Sequence, residues 1–269
     1  MSAPEASPAP PTAPPPRARR RLAIALAAAL VAAVGLDVVL ARALFASYRD
    51  LHSLRLDPTD AARFAGVRVP PRSPGMTRVV LVGDSRVEAW ADPPSPSGCE
   101  AINRGVDRQT TAQVLLRLDR DVIALEADVA VVQVGVNDLK TLGLFADDRA
   151  ATVVEGCRAH LREIVGRLRD AGITVVLLTI FPVGPPELAR RPIWSDATID
   201  AIDDVNRTIR GLAGPGVVVV DCDTRLRRGR RIDPALALDT LHLGPAGYRA
   251  LNEAVRPALE RAVRDRVSP

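Results

Sequence analysis

The tripeptide Gly83-Asp84-Ser85 is the first place in this sequence where residue types and spacing suit nucleophilic chemistry. It directly follows the apolar run 79–82 and precedes a polar, amphipathic stretch. An apolar run that ends in glycine is typical of a buried strand that turns sharply into a helix. Such a turn places Ser85 at the carboxyl edge of the sheet, with its N–H at a helix N-terminus that favours negative charge. In the alternative interpretation, Ser85 only caps the helix.

A base is required, because a serine hydroxyl is a weak nucleophile until a neighbouring group accepts its proton. Of the three histidines, His52 lies in the N-terminal segment and His160 falls within a helical pattern, which leaves His242. Asp239 precedes His242 by three residues. Its carboxylate could orient the imidazole and stabilise the imidazolium ion. The alternative is that the two residues form a purely local turn pair.

Three groups are candidate donors for a developing oxyanion. They are the backbone N–H groups of Ser85 and Gly105 and the side-chain amide of Asn137. Pre-oriented donors of this kind stabilise an anionic transition state. Gly105 suits the role because a residue without Cβ lets substrate approach the backbone closely. Alternatively, Gly105 is only a turn glycine, and Asn137-Asp138 is only a cap.

The elements that must position these residues alternate between apolar runs and amphipathic stretches. Strands are predicted at 79–82, 100–103, 129–134, 174–180 and 217–220, and helices around the apolar stripes at 114–122, 153–168, 199–212 and 251–263. This alternation predicts an α/β fold with a parallel sheet that helices cover on both faces. Because the carboxyl ends of parallel strands share one edge, Ser85, Gly105 and Asn137 should converge there.

The N-terminal part of the chain differs in composition from the rest. We predict a disordered, Pro-rich and basic tail at 1–21, a transmembrane signal anchor at 22–46, a connector at 47–73 and a single α/β domain at 74–269. The arginine cluster at the end of the tail favours a cytoplasmic N-terminus, with the domain outside the cytoplasm. The alternative is a signal peptide cleaved near Ala41-Arg42-Ala43, where the internal arginine makes a poor cleavage site.

Neither the charge distribution nor the cysteine spacing indicates a binding site for nucleic acid or zinc. Of the formal charge of +4, the four arginines and one glutamate of the tail contribute +3. The rest of the chain carries no basic run with interleaved aromatic residues, so we expect no nucleic-acid partner. The three cysteines (Cys99, Cys157 and Cys222) match no zinc-binding spacing, and the sequence does not determine whether two of them pair.

A metal site is an alternative use of the same motifs. Its donors would be Asp84, Asp138, Asp239 and His242. One histidine without a close pair of carboxylates is a weak donor set. We therefore expect neither a metal nor another cofactor.

In their order along the chain, the four motifs resemble the signature blocks of the GDSL or SGNH hydrolase family, named for its Ser, Gly, Asn and His. The corresponding blocks are Gly83-Asp84-Ser85, Asn103-x-Gly105, Gly135-x-Asn137-Asp138 and Asp239-x-x-His242. The stretches VLVGDSRVEAW and NRGVDRQTTAQVLLRL look most like the branch that contains platelet-activating factor acetylhydrolase and bacterial carbohydrate esterases. The resemblance implies a flavodoxin-like three-layer α/β/α fold and metal-free hydrolysis of esters, often of small acyl groups.

Two departures from the family pattern lie near the expected pocket. Arg86 stands where the family has the leucine of its GDSL signature, and Asp107 and Arg108 stand where many relatives carry glycine. Arg86 could bind an anionic substrate or lie solvated at the start of a helix. Trp194, in the long Pro- and Gly-rich segment 181–196, could contact substrate or anchor the loop on the core.

Together these observations predict a membrane-anchored serine ester hydrolase that removes small acyl groups from carbohydrate or cell-envelope esters by a Ser-His-Asp mechanism. Two other functions stay open: an O-acyltransferase that uses the same serine on envelope polysaccharide, and a catalytically silent glycan-binding module. The complete set of catalytic residue types favours an enzyme. With only two Trp, two Tyr and four Phe, the chain has few aromatic side chains that could stack on a sugar acceptor. This favours hydrolysis over transfer.

Overall fold

The N-terminal unit of the protein is a single long helix. The computed structural model describes residues 16–67, 69–188 and 190–267, and its first unit, Met1–Asp57, contains helix α1 (Pro16–Leu56). No proline interrupts the chain between residues 17 and 57, and Pro58 follows the helix end, which restricts its continuation. Residues 1–15 of the predicted tail lie outside the described residues, and residues 16–21 belong to α1 instead of being disordered.

Helix α1 contains the whole predicted anchor, 22–46, and continues into the range predicted as a connector, 47–73. It is long and apolar enough to cross a membrane, and its apolar side chains are exposed. A signal sequence close to the N-terminus has the same properties. The described part of the chain therefore contains one candidate membrane-spanning helix.

The second unit, Pro58–Pro269, is built on a parallel sheet. Its five strands are β1 (Thr77–Gly83), β2 (Cys99–Gly105), β3 (Val129–Gln133), β4 (Thr174–Leu178) and β5 (Val217–Val220). They lie in the order β2-β1-β3-β4-β5, and every pair is parallel. This is the flavodoxin-like order, so the predicted fold class and all five predicted strands are confirmed.

Helices connect the strands. They are α2 (Ser85–Glu88), α3 (Thr111–Asp121), α4 (Val136–Leu139), α5 (Asp147–Asp170), α6 (Ala197–Arg210), α7 (Cys222–Leu226) and α8 (Pro245–Val267). A short antiparallel pair, β6 (Arg227–Arg228) and β7 (Arg231–Ile232), follows α7. The four long helices match the four predicted stripes. The short helices α4 and α7 carry no periodic signal and were not predicted.

The sheet is buried on both faces, which explains why its apolar runs do not alternate with polar residues. Val80 and Val82 of β1 face one core, formed with helices α3, α5 and α6. Val79 and Leu81 face the other, formed with α7 and α8. Two apolar cores on opposite faces of one sheet are the three-layer arrangement that the resemblance implies.

The carboxyl ends of the three central strands are level with one another. Gly83 at the end of β1 pairs with Gly105 of β2 on one side and with Gln133 of β3 on the other. The loops that carry the first three motifs therefore leave the sheet from the same edge. This edge is the place where open α/β sheets bind ligands.

All three cysteines are free thiols. Cys157 and Cys222 are buried, and Cys99 is partly exposed. Cys157, on α5, lies in the apolar core, as its position on the helical stripe predicts. None of the three pairs in this structure.

Candidate active site

A tight turn between β1 and α2 presents Ser85 at the sheet edge. A Cβ at Gly83 would lie 1.9 Å from the carbonyl oxygen of Gln133, so only glycine fits there. Asp84 then caps α2, its Oδ1 accepting the N–H of Arg86 at 3.0 Å. Ser85 is consequently the first residue of α2 and partly exposed. Its N–H has no intrahelical acceptor, because the first amides of a helix never do.

His242 and Asp239 complete a line of hydrogen bonds that begins at Ser85. The Oγ of Ser85 lies 3.0 Å from Nε2 of His242, and Nδ1 of His242 lies 2.8 Å from Oδ2 of Asp239. The second carboxylate oxygen, Oδ1, accepts the backbone N–H groups of Leu241 at 2.7 Å and His242 at 2.8 Å. The spacing of three residues thus follows from a turn in which one carboxylate holds both the backbone and the ring of the histidine.

These contacts keep the carboxylate of Asp239 ionised. Burial opposes its charge, but the hydrogen bonds from the His242 ring and from the two backbone N–H groups outweigh that cost. The pKa of Asp239 therefore lies below its ordinary value. An ionised Asp239 can stabilise a proton on His242, which a general base acquires during the reaction.

Arg86 does not have either of the positions predicted for it. It is only 1% exposed, so it neither reaches a bound substrate nor lies in solvent. Its Nε donates to the carbonyl of Leu241 at 2.8 Å and its Nη1 to the carbonyl of Phe181 at 3.2 Å. The guanidinium thereby ties the loop that carries Ser85 to the loop that carries His242.

Gly105 also differs from its prediction as an oxyanion donor. Its N–H already donates to Oδ1 of Asn103 at 2.8 Å. A Cβ at this position would lie 2.1 Å from the backbone nitrogen of Glu88, in helix α2. Glycine is therefore required for the close approach of β2 to α2, and its amide is occupied by the turn itself.

Asn137 is held at the same edge by its own hydrogen bonds and by those of the next residue. It is 4% exposed, and its Nδ2 donates to the carbonyl of Gln109 at 3.0 Å. The next residue, Asp138, accepts both the N–H of Thr111 at 2.9 Å and its hydroxyl at 2.6 Å, which ties α4 to α3. One of the two amide hydrogens of Asn137 is used by Gln109, so the second can serve another acceptor.

Sequence reasoning missed Lys140, which lies directly beside Asn137. Its Nζ donates to Oδ1 of Asn137 at 2.5 Å. The signal that could have revealed it is its position three residues after Asn137 on a short helix, since residues at that spacing share a face. Lys140 is also the chain's single lysine.

Trp194 lies beside a small cavity near Lys140. It packs against the core on one side and lines a cavity of about 120 Å³ together with Lys140, Thr141, Leu144, Arg190 and Ile193. Its indole Nε1 is buried without a hydrogen-bond partner among the described residues. Trp194 thus anchors its loop on the core, as one interpretation expects. It also lines a cavity, as the substrate-contact interpretation requires.

The alternative metal site finds no support in the arrangement of donors. Within residues 16–67, 69–188 and 190–267, no group of three or more His, Cys, Asp and Glu side chains could hold an ion. Asp84 and Asp138 are both buried. Burial raises the pKa of Asp84 to about 6 and that of Asp138 above its ordinary value. Both carboxyl groups brace the turns described above.

Residues 81–250 match the sequence profile of the GDSL-like lipase/acylhydrolase family. No curated protein is significantly similar to the chain in sequence. Crystal structures of bacterial ester hydrolases share its fold. A GDSL-like lipase of Bacteroides thetaiotaomicron VPI-5482 is 23% identical and has a TM-score of 0.60, with 76% of this chain and 98% of the lipase covered.

Two further structures extend the likeness. The lipase/acylhydrolase of Enterococcus faecalis is 22% identical with a TM-score of 0.52, covering 69% of this chain and 96% of its own. The acetylxylan esterase Axe2 of Geobacillus stearothermophilus is 18% identical, also with a TM-score of 0.52, covering 70% and 94%. At these identities the likeness shows a common fold.

Proposed function

Because this chain belongs to the GDSL-like lipase/acylhydrolase family and is a serine ester hydrolase, we propose that Ser85 is its nucleophile, His242 its general base and Asp239 the group that orients His242. The observation that carries the proposal is the unbroken line of hydrogen bonds from Ser85 Oγ through the imidazole to Asp239, at 3.0 and 2.8 Å. Nucleophile, base and orienting carboxylate within such distances are what serine catalysis requires.

The first half of the reaction forms an acyl-enzyme. His242 Nε2 accepts the hydroxyl proton as Ser85 Oγ attacks the ester carbonyl carbon, and the carbonyl oxygen becomes an oxyanion. The N–H of Ser85 and the second amide hydrogen of Asn137 are the proposed donors to it. The tetrahedral intermediate collapses when His242 returns the proton to the leaving alcohol oxygen, so the C–O bond breaks and the acyl group remains on Ser85.

The second half uses water. His242 removes a proton from a water molecule as its oxygen attacks the acyl carbon, and then protonates Ser85 Oγ as the carboxylic acid leaves. Asp239 stays ionised throughout and stabilises the imidazolium ion in both halves. Its lowered pKa supports this role.

The proposed substrates are esters of small acyl groups on carbohydrate or related cell-envelope molecules. Ser85 and His242 are partly exposed at the sheet edge, where a bulky alcohol portion can approach. An acetylxylan esterase shares the fold, which supports a small acyl group on a sugar hydroxyl. We include in the proposal that α1 anchors the enzyme in the cell membrane, with the catalytic unit outside the cytoplasm.

A labelling experiment tests the nucleophile. A fluorophosphonate probe should modify the full-length protein and the control variant Ser97→Ala, which removes an exposed serine, but not Ser85→Ala. The same proteins should be assayed on chromogenic esters of graded chain length, with acetyl esters expected to react fastest. Equal labelling of Ser85→Ala would overturn the assignment. Absence of both labelling and esterase activity in the wild type would instead favour a glycan-binding module.

Product partitioning separates hydrolysis from transfer. With an acetyl ester and increasing carbohydrate acceptor, free acetate should remain the main product and total turnover should scarcely change. A transfer product that saturates with acceptor, and that disappears in Trp194→Ala, would replace hydrolase by O-acyltransferase.

The membrane orientation has its own test. In intact cells, a protease added outside the cytoplasmic membrane should digest the catalytic unit. Protection until that membrane is lysed would reverse the proposed topology.

A further inference from the structure

Lys140 is the only lysine among 36 lysine and arginine residues in this chain. It closes the short helix α4, and Nζ donates to Oδ1 of Asn137 at 2.5 Å. Lysine differs from arginine in carrying a compact charge with three rotatable donors instead of a planar fork. A compact ammonium can approach a single amide oxygen three residues away on the same helix face.

This contact determines which end of the Asn137 amide faces the reaction. An ammonium group has donors only, so it must meet the oxygen of the amide and not its nitrogen. The carbonyl of Gln109 accepts one hydrogen of Nδ2 at 3.0 Å. With both of these contacts made, the remaining N–H of Asn137 has a single defined direction.

Lys140 is partly buried, and its surroundings oppose its positive charge. Burial is the largest effect and lowers the pKa of Lys140. Four charged groups on neighbouring loops also act on it: Arg190 and Arg108 lower its pKa further, and Asp84 and Asp107 raise it. A partly desolvated cation interacts more strongly with a nearby developing anion than a cation in water does.

We propose that Lys140 is a positioning residue for the oxyanion donor, which fixes the Asn137 amide and places a positive charge behind it. This inference rests on the proposed function, because it presumes that Asn137 contacts the oxyanion. Chemical turnover should then depend on Lys140 carrying its proton. Substrate affinity should not depend on it.

Two substitutions in the full-length protein test the role. Lys140→Met keeps the aliphatic stem but removes the charge and the donor, and it should lower kcat about tenfold or more with KM little changed, since hydrogen bonds from charged groups are among the stronger ones. Lys140→Arg keeps the charge but replaces the compact ammonium by a planar fork, so it should retain more of the rate than Lys140→Met. An unchanged kcat in Lys140→Met, or a rise in KM alone, would overturn the inference.

The pH profile distinguishes positioning by charge from a merely structural contact. In the wild type, kcat should fall at high pH as Lys140 loses its proton. The same limb should be absent in Lys140→Arg, whose guanidinium keeps its charge. A falling limb that persists unchanged in Lys140→Arg would overturn the inference.

The single lysine allows its titration to be observed directly in the unmodified enzyme. Full-length protein in detergent micelles, produced with lysine labelled with ¹³C at Cε, should give one side-chain NMR signal. Its titration midpoint should coincide with the high-pH limb of kcat, and a mismatch would contradict the proposal. This measurement needs no variant, so it stays decisive even if Lys140→Met fails to fold.

A double-mutant cycle separates failure of this inference from failure of the proposed function. Lys140→Met should have little further effect in an Asn137→Ala background, because the two residues act through one donor. If Asn137→Ala lowers kcat and Lys140→Met does not, only the role of Lys140 is wrong. If Ser85→Ala remains active, the proposed function itself is wrong.

Discussion

The two sides of the candidate active site are assembled in different ways. On one side, Ser85, His242 and Asp239 form a line of contacts between side chains, at 3.0 and 2.8 Å. On the other side, Asn137 is held by the backbone carbonyl of Gln109 and by the ammonium group of a residue on its own helix. The first side depends on three functional groups. The second depends on which backbone and amide hydrogens the fold leaves unused.

This difference explains why the role of a glycine is harder to predict from the sequence than the role of a serine or a histidine. A glycine contributes only backbone, so its role depends on where its N–H points and what approaches its Cα. At Gly105 the N–H donates to Asn103, and the Cα side lies against Glu88. The family resemblance located the right loop, but the hydrogen bond within that loop decides that this amide braces the turn.

The largest expected effect concerns the side of the site that Ser85, His242 and Asp239 form. Asp239→Asn should lower kcat by about 10⁴, because the amide no longer holds His242 in the required tautomer. Steady-state kinetics with an acetyl ester would measure it. Asp233→Asn is a matched control, since Asp233 lies in the same connection but caps the N–H of Ala235 at 2.9 Å. Similar losses in both variants would mean that loop stability, and not catalysis, is being measured.

The next largest effect concerns the oxyanion side. Asn137→Ala should lower kcat by about 100- to 1000-fold with KM nearly unchanged, because one oxyanion donor is lost. The separation of kcat from KM is the informative readout. A variant that raises KM alone would place Asn137 in substrate binding.

A stability measurement tests the distinction between Gly105 and a catalytic donor. Gly105→Ala should destabilise the fold by about 1–3 kcal/mol, because backbone atoms of α2 must move to admit the Cβ. Gly166→Ala is the control, since nothing lies within 4 Å of a Cβ there and alanine favours a helix over glycine. If Gly105→Ala folds as stably as the wild type but loses kcat, the original oxyanion role would return.

The smallest expected effect is a pH dependence of stability. The pKa of Asp239 is lower in the folded protein than its ordinary value. Its ionised form therefore stabilises the fold above that value, and this contribution is lost as pH falls through the lowered pKa. The difference in unfolding free energy between wild type and Asp239→Asn, from denaturant titrations, should shrink below about pH 5. A constant difference down to pH 3 would show that Asp239 gains nothing from its contacts.

Most of the fold followed from apolar patterning. The runs at β1, β3, β4 and β5 are nearly continuous because both faces of the sheet are buried. Predicted bounds differ where burial and strand hydrogen bonding do not coincide. The apolar pattern predicts that β3 continues to Val134 and β4 to Ile180, because both residues are buried, but in the structure they lie in loops just past the strand ends. The short helix α4 has too few residues for a period to appear.

The sequence alone determined the parallel α/β layering and the identity of the nucleophile, base and orienting carboxylate as a candidate set. Periodicity reports which faces are buried, and few residue types can perform each of those chemical tasks. Only the tertiary structure decided which groups Arg86, Gly105 and Lys140 contact. In each case a group from a distant loop or neighbouring turn meets the residue's polar atoms: the carbonyls of the 181 and 241 loops for Arg86, the side chain of Asn103 for Gly105, and the amide of Asn137 for Lys140. Hydrogen bonds are short-ranged and directional, so such partners are decided by the conformation and packing of the folded chain.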